Sequence, residues 1–243
     1  MKTSNIVQIL VLACLLVTGC TDNFEEINSN PNAPETVSAN LLTATVTSEI
    51  TRTLTEEGYS DGNSITQLMA KNNFPGFAQF DWSDQGMWNF FYGILPEIDD
   101  ILQISRNEET QNSTYEGMAL TLRALCFANL TDLYGNVPYS EALAGDTEGI
   151  FTPVYDSQEM IYNGVLQDLA DADAALAANQ SISGTTGDVI YDGDPARWRK
   201  LANALRLRYL LRISKQRDVS QEMQAITSAG NYINSNADNA TLT

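Results

Sequence analysis

Apolar residues recur at intervals of three and four from Ser38 onward, and this spacing limits the possible folds more than any other feature of the sequence. It is the period of an amphipathic α-helix, whereas a strand with one buried face alternates every two residues. Leu42, Val46, Ile50 and Leu54 form the first such stripe. About seven segments of this kind follow one another, mostly near twenty residues long. The pattern therefore predicts an all-α domain.

Capping residues mark the ends of three predicted helices. Gly135 ends the helix predicted over 113–134, because glycine accepts the left-handed backbone that commonly follows a helix. Asp156 begins a helix predicted to continue to about residue 179, at the spacing of a capping box. Asp194 caps a further helix whose first residue is Pro195.

The connections between the predicted helices are short. Residues 57–63 have the composition of a turn and separate the first helix from a second one predicted over 64–71. Short connections predict that successive helices pack as antiparallel hairpins, stacked as a tetratricopeptide-like solenoid. The sequence has no clean repeat of about 34 residues, so this prediction rests on helix length and pairing.

The first twenty residues resemble a bacterial lipoprotein signal. Lys2 precedes an apolar run over 6–17, which is shorter than the roughly 20 residues of a membrane-spanning helix. The run leads to Thr18-Gly19-Cys20, a lipobox-like sequence in which the cysteine is acylated. An ordinary signal peptide with an incidental cysteine is the alternative. We therefore expect a signal peptide at 1–19, a lipidated polar tether at 20–37 and a helical domain at 38–243.

The composition argues against most enzymes and against nucleic-acid binding. The chain contains no histidine, which excludes imidazole-dependent catalysis and histidine-ligated zinc. Its net charge of −18 would repel a polyanion. We expect no catalytic activity, no cofactor and no metal. Cys126 lies on an apolar helix face and is expected to be a buried, inert thiol.

Charged clusters elsewhere have structural interpretations. Asp192-Gly193-Asp194 lacks the ligand spacing of an EF-hand and is explained by a turn and a helix cap. The carboxylate pairs at 99/100 and 171/173 lie on predicted helices, where neighbouring side chains diverge, unlike the facing pair of a glycosidase. The one basic cluster is expected to pair with acidic residues of neighbouring helices rather than bind an anion; its members are Arg197, Lys200, Arg206, Arg208 and Arg212.

Three blocks of the sequence together resemble the SusD/RagB family of outer membrane nutrient-binding lipoproteins. They are the lipobox, the helix and turn LRALCFANLTDLYGNVPY at 122–139, and the paired segments at 152–176 and 188–208. The resemblance implies a SusD-like helical protein on the exterior of the outer membrane. Such proteins bind oligosaccharides or peptides and deliver them to a SusC-like TonB-dependent transporter. Because family members are about twice as long, the chain is expected to be an N-terminal portion.

Two other functions remain open at this point. One is a helical-repeat adaptor that binds a protein or peptide partner, and the other is a lipoprotein that cleaves glycosides. A glycan panel separates the adaptor from the nutrient-binding protein, and release of reducing sugar would identify the hydrolase.

Sugar binding by such a protein requires flat apolar rings next to hydrogen-bonding side chains. Phe80, Asp81, Trp82 and Asn89 satisfy this requirement and are the predicted ligand-binding residues. The alternative is that their rings pack between helices. Trp88, Phe91 and Tyr92 recur at helical spacing and are predicted to lie in the core.

Overall fold

The computed structural model describes residues 37–70, 73, 76 and 86–242, and helices dominate this part of the chain. The predicted signal peptide and the tether up to residue 36 lie outside the described residues. The helices are α1 (Ala39–Glu57), α2 (Asn63–Ile65), α3 (Met87–Arg106), α4 (Ser113–Tyr134), α5 (Gly145–Glu148), α6 (Gln158–Ala177), α7 (Pro195–Ile213) and α8 (Ser220–Ala229). A π-helical turn, Gly58–Gly62, joins α1 to α2, and a 3-10 turn, Asn236–Asp238, follows α8. The all-α class is confirmed.

Helices α3 and α4 form an antiparallel hairpin. At one end, the backbone N–H of Trp88 in the first turn of α3 donates to the hydroxyl of Tyr134, the last residue of α4, over 3.0 Å. At the other end, Arg106 of α3 donates to Glu116 in the first turn of α4 over 2.7 Å. The two helices therefore run in opposite directions, as the short connection between them predicts.

The same alternation continues through α6 and α7. The side-chain amide of Gln158, at the start of α6, donates to the carbonyl oxygen of Thr131 near the end of α4 over 2.8 Å. The rings of Tyr162, early in α6, and Tyr209, late in α7, lie edge to face with centroids 6.2 Å apart. Successive long helices thus pack as antiparallel hairpins, which is the arrangement predicted from the sequence.

Helix α4 lies at the centre of the core. Buried residues occur all around its circumference, as expected for a helix that is packed on several sides. Gly117 allows close packing, because a Cβ at this position would overlap the side chain of Leu176 on α6. Cys126 is fully buried, and this burial raises the pKa of its thiol. The prediction of an inert thiol agrees with this environment.

Two of the three helix caps predicted from the sequence are confirmed. Gly135 follows α4 with a φ of 77°, and the carboxylate of Asp194 accepts the backbone N–H groups of Ala196 and Arg197. The prediction for Asp156 was wrong, because Ser157 is the N-cap of α6. Asp156 instead belongs to strand β2 and accepts hydrogen bonds from the preceding loop.

The turn predicted at residues 57–63 was also wrong. The backbone stays right-handed through Gly58, with φ −62° and ψ −42°, and a π-helical turn continues α1 into the short helix α2. Glycine and serine permit a turn but do not impose one, since each also occupies helical backbone angles. The helix predicted over 64–71 ends at Ile65.

One short antiparallel ladder interrupts the helices. Strand β1 (Val137–Pro138) pairs with β2 (Tyr155–Asp156), so that Val137 lies opposite Asp156 and Pro138 opposite Tyr155. The ladder brings the segment after α4 against the segment before α6. In the part of the chain that the structure describes, no helix combines the length and hydrophobicity of a membrane span.

Candidate ligand-binding surface

Four aromatic side chains meet at one end of the helical stack, and we call them the aromatic cluster. They are Trp88 and Tyr92 of α3, Tyr134 of α4 and Tyr155 of β2. Trp88 is the central member: its ring centroid lies 4.8 Å from that of Tyr92, 5.3 Å from Tyr134 and 6.1 Å from Tyr155. The planes of the Trp88 and Tyr155 rings are only 23° apart, so these two rings are nearly parallel.

Each ring is held in place by the end of a secondary structure element. Trp88 occupies the first turn of α3, where its backbone N–H is bound by the Tyr134 hydroxyl. Tyr134 is the last residue of α4. The hydroxyl of Tyr92 donates to the carbonyl oxygen of Pro138 in β1 over 2.6 Å, which attaches the cluster to the strand pair. The β1–β2 pairing then holds Tyr155 beside Trp88.

The cluster is accessible from outside. Tyr155 is 63% exposed and Tyr134 is 39% exposed, while Trp88 and Tyr92 are partly buried against the core. Flat rings with this degree of exposure offer apolar faces to a ligand, and their hydroxyl groups offer hydrogen bonds at the ring edges. The chemistry is suited to stacking and hydrogen bonding of a neutral ligand.

A buried carboxylate stabilises the turn beneath Tyr155. Asp156 accepts hydrogen bonds from the backbone N–H groups of Tyr139 and Ser140, at 3.0 and 2.6 Å, and from the Ser140 hydroxyl at 2.9 Å. Burial alone would raise the pKa of Asp156, but these hydrogen bonds outweigh burial and hold the pKa below its ordinary value.

Replacement of Asp156 by asparagine should destabilise the fold by about 2 kcal/mol near neutral pH, because the amide keeps one acceptor oxygen but the hydrogen bonds from residues 139 and 140 lose their charged partner. Because the folded-state pKa of Asp156 is lowered, its contribution is present above the unfolded pKa and is lost as the pH falls through the folded value. The difference in unfolding free energy between wild type and Asp156→Asn should therefore narrow below about pH 4. Urea unfolding across this range measures it, with exposed Glu148→Gln as the control. A constant difference at every pH would contradict the prediction.

The structure describes part of the predicted binding set. Phe80, Asp81 and Trp82 lie outside the described residues, and their role stays a prediction. Asn89 is exposed in the first turn of α3, directly after Trp88. Among the residues predicted to be core, Phe91 is fully buried, whereas Trp88 and Tyr92 pack against the core from the partly exposed cluster.

Sequence reasoning missed Tyr134 and Tyr155 as candidate ligand contacts. Tyr134 falls on the predicted helix, and Tyr155 belongs to a strand too short to produce an alternating pattern. The signal that was available is local composition, because Tyr134 directly precedes the proline-containing connection 135–138 and Tyr155 lies within the proline-containing connection 152–156. Such connections commonly carry binding residues.

Charged residues elsewhere are largely paired. Lys200 contacts Asp238 at 2.7 Å, Arg199 contacts Asp173 at 2.6 Å, and Arg212 contacts Asp132. The predicted pairing holds for Lys200 and Arg212. Among the described residues, the other three members of the predicted cluster, Arg197, Arg206 and Arg208, form no ion pair, and the Arg197 guanidinium lies over the ring of Tyr191 instead. Within the described residues, no group of three or more metal-ligating side chains is placed to hold an ion.

A family model described as SusD-like, "Starch-binding associating with outer membrane", matches residues 31–243. No functionally curated protein matches the chain. The solved structures contain many similar folds, with 35 matching chains.

Three of these structures illustrate the similarity. An outer membrane protein of Bacteroides vulgatus with a suggested role in nutrient binding is 27% identical, with a TM-score of 0.65, over 85% of this chain and 44% of its own. A SusD homologue of Bacteroides fragilis is 23% identical, with a TM-score of 0.69, over 84% and 43%. A protein described as chitin-binding is 28% identical, with a TM-score of 0.62, over 82% and 45%. The chain thus spans less than half the length of these proteins.

Proposed function

The chain belongs to the SusD-like family, whose model covers residues 31–243, and on this premise we propose that it binds glycans at the bacterial outer membrane. In this proposal the protein captures an oligosaccharide without cleaving it and delivers it to a SusC-like TonB-dependent transporter. The family description, which names starch binding and association with the outer membrane, supports both the ligand class and the location.

The aromatic cluster is the observation that carries the proposal. Pyranose rings present apolar C–H faces, and these faces stack on aromatic rings. The exposed rings of Tyr134 and Tyr155 both contact Trp88, Tyr134 edge to face and Tyr155 nearly parallel, so aromatic faces and edges lie together at the surface. The chitin-binding description of a structure with a TM-score of 0.62 gives further support to a carbohydrate ligand.

The proposed location depends on Cys20. Acylation at this cysteine would attach the chain to the membrane, since each buried CH₂ of an acyl chain contributes about 0.8 kcal/mol. The polar tether at 20–37 would separate the helical domain from the lipid surface. In this proposal the helical domain faces the exterior of the cell. Copurification of a large β-barrel with the membrane-anchored protein would support the proposed transporter partner.

Calorimetric titration of the full chain with maltoheptaose, chitohexaose and a mixture of unstructured peptides tests the ligand class. Heat of binding with either oligosaccharide, with no release of reducing sugar, is the expected result. Binding of peptides alone would favour the adaptor function instead, and release of reducing sugar would identify a hydrolase.

The predicted residue Trp82 gives a first variant for this assay. Trp82→Ala should weaken oligosaccharide binding severalfold and leave the helical circular dichroism signal unchanged, because the role assigned to Trp82 is stacking on the ligand. Loss of the helical signal would show that Trp82 is a packing residue, as the alternative interpretation of the sequence states.

A further inference from the structure

A cleft of about 520 Å³ lies between α4, α6 and the end of α7. Its volume falls within the range of small-molecule binding sites, roughly 300–1,000 Å³. Its lining combines apolar surface with the polar groups of side chains that include Asp132, Glu159, Asn163, Arg212, Gln216 and Arg217. Neither the sequence nor the comparisons assign this cleft a role.

Three of the four charged residues of the cleft form ion pairs, and the fourth, Glu159, is exposed. Asp132 forms an ion pair with Arg212 and accepts a hydrogen bond of 2.5 Å from the hydroxyl of Tyr162. Arg217 forms an ion pair with Glu222. An anionic ligand would have to displace these carboxylates from the two guanidinium groups, and it would approach a chain with a net charge of −18. The electrostatics therefore disfavour an anionic ligand.

The amide side chains of the cleft set its hydrogen-bonding character. Gln158, Asn163 and Gln216 each carry an amide with both donor and acceptor atoms. Asn163 and Gln216 are exposed on α6 and in the turn after α7. Hydroxyl groups also donate and accept, so a ligand rich in hydroxyl groups matches these side chains better than an apolar or singly charged ligand.

The cleft and the aromatic cluster share the same helix ends. Asp132 and Tyr134 lie two residues apart near the end of α4 and face opposite sides of it, Asp132 towards α6 and α7 and Tyr134 towards α3. Gln158 of the cleft follows Tyr155 of the cluster by three residues. Gln158 also connects the two segments, because its backbone N–H donates to Asn136 over 3.2 Å and its amide donates to Thr131. A ligand that contacts both surfaces would therefore have to extend around the end of α4.

We propose that the cleft is a second contact site for a neutral, hydroxyl-rich segment of the glycan that stacks on the aromatic cluster. This inference rests on the proposed glycan-binding function. It adds that the glycan is long enough to reach both surfaces and that its segment in the cleft is uncharged. A ligand that spans both surfaces binds more tightly than one that contacts the cluster alone, because the second contact is intramolecular once the first has formed.

Calorimetry of the full chain with maltotriose, maltoheptaose, chitotriose and chitohexaose tests this inference. Wild type should bind the longer member of at least one series about tenfold more tightly than the shorter member, as expected for two added amide hydrogen bonds. Asn163→Ala/Gln216→Ala should lose this gain and bind both lengths alike. The control Gln167→Ala/Gln221→Ala removes two exposed amides outside the cleft and should keep the gain.

The outcomes separate the two proposals. If wild type binds no oligosaccharide of either series, the proposed function fails, and the cleft assignment fails with it. If wild type binds but Asn163→Ala/Gln216→Ala keeps the full gain with length, the cleft assignment alone is overturned. Tighter binding of a heptameric oligogalacturonate than of maltoheptaose and chitohexaose would overturn the assignment of a neutral ligand.

Discussion

Trp88→Ala should lower the affinity for a bound oligosaccharide by at least about tenfold, the largest binding effect of any single substitution in the aromatic cluster. Trp88 contacts the rings of Tyr92, Tyr134 and Tyr155, so its removal takes away the central ring and the support of the exposed ones. Truncation of a tryptophan at the centre of a binding site typically costs about 2 kcal/mol or more of binding free energy. This loss corresponds to about a thirtyfold decrease in affinity. Calorimetry of the variant against wild type measures the effect.

Two further variants make the result specific for the cluster. Trp88→Phe keeps an aromatic face and should retain part of the affinity. Phe151→Ala removes a ring that is 80% exposed but makes no ring contact with the cluster, and it should bind as wild type does. An equal loss of oligosaccharide affinity in Trp88→Ala and Phe151→Ala would contradict a role of the cluster in binding. Unchanged affinity in Trp88→Ala would also contradict it.

Asp188→Ala should destabilise the domain by about 3 kcal/mol or more, the largest stability effect we expect. The Asp188 carboxylate is buried and accepts hydrogen bonds from four N–H groups, those of Ile190, Tyr191, Gly193 and the indole of Trp198. The Trp198 contact is the shortest, at 2.6 Å, and the Trp198 side chain is fully buried. Alanine would leave all four donors without an acceptor in a region that excludes water.

Urea unfolding followed by far-UV circular dichroism measures the change. Asp171→Ala removes an exposed carboxylate from α6 and should shift the unfolding free energy by less than about 0.5 kcal/mol. Asp188→Asn keeps the size of the side chain but replaces one acceptor with a donor, and its stability should lie between those of wild type and Asp188→Ala. Equal stability of Asp188→Ala and Asp171→Ala would show that the network contributes little.

Local signals predicted the helices well where apolar spacing and caps agreed. Helix α4 runs over Ser113–Tyr134, as its apolar spacing and the following glycine predict, and α7 begins at Pro195 after the Asp194 cap. The prediction failed at residues 57–63, because a glycine-containing segment can continue a helix when its backbone stays right-handed. The predicted helix cap at Asp156 was wrong, because the Asp156 carboxylate accepts a hydrogen bond from the distant Ser140 and Ser157 caps α6 instead.

The candidate site was less predictable than the helices. The spacing of Trp88, Phe91 and Tyr92 shows that these residues share a helix face, but it does not show which of them lies at the edge of the core. The contacts of Trp88 with Tyr134 and Tyr155 span 46 and 67 residues of sequence, and they depend on the antiparallel packing of α3 against α4 and on the β1–β2 pairing. No local pattern contains that information.

The alternation of helix direction has an evolutionary consequence. It gathers the start of α3, the end of α4 and the start of α6 at one end of the stack, while fully buried residues such as Cys126 and Leu130 lie within α4. On the proposed function, changes around Tyr134 and Tyr155 would therefore alter which ligand is bound while the core stays the same. Selection for a new ligand and selection for a stable fold would then act on different residues, so that specificity could diversify quickly.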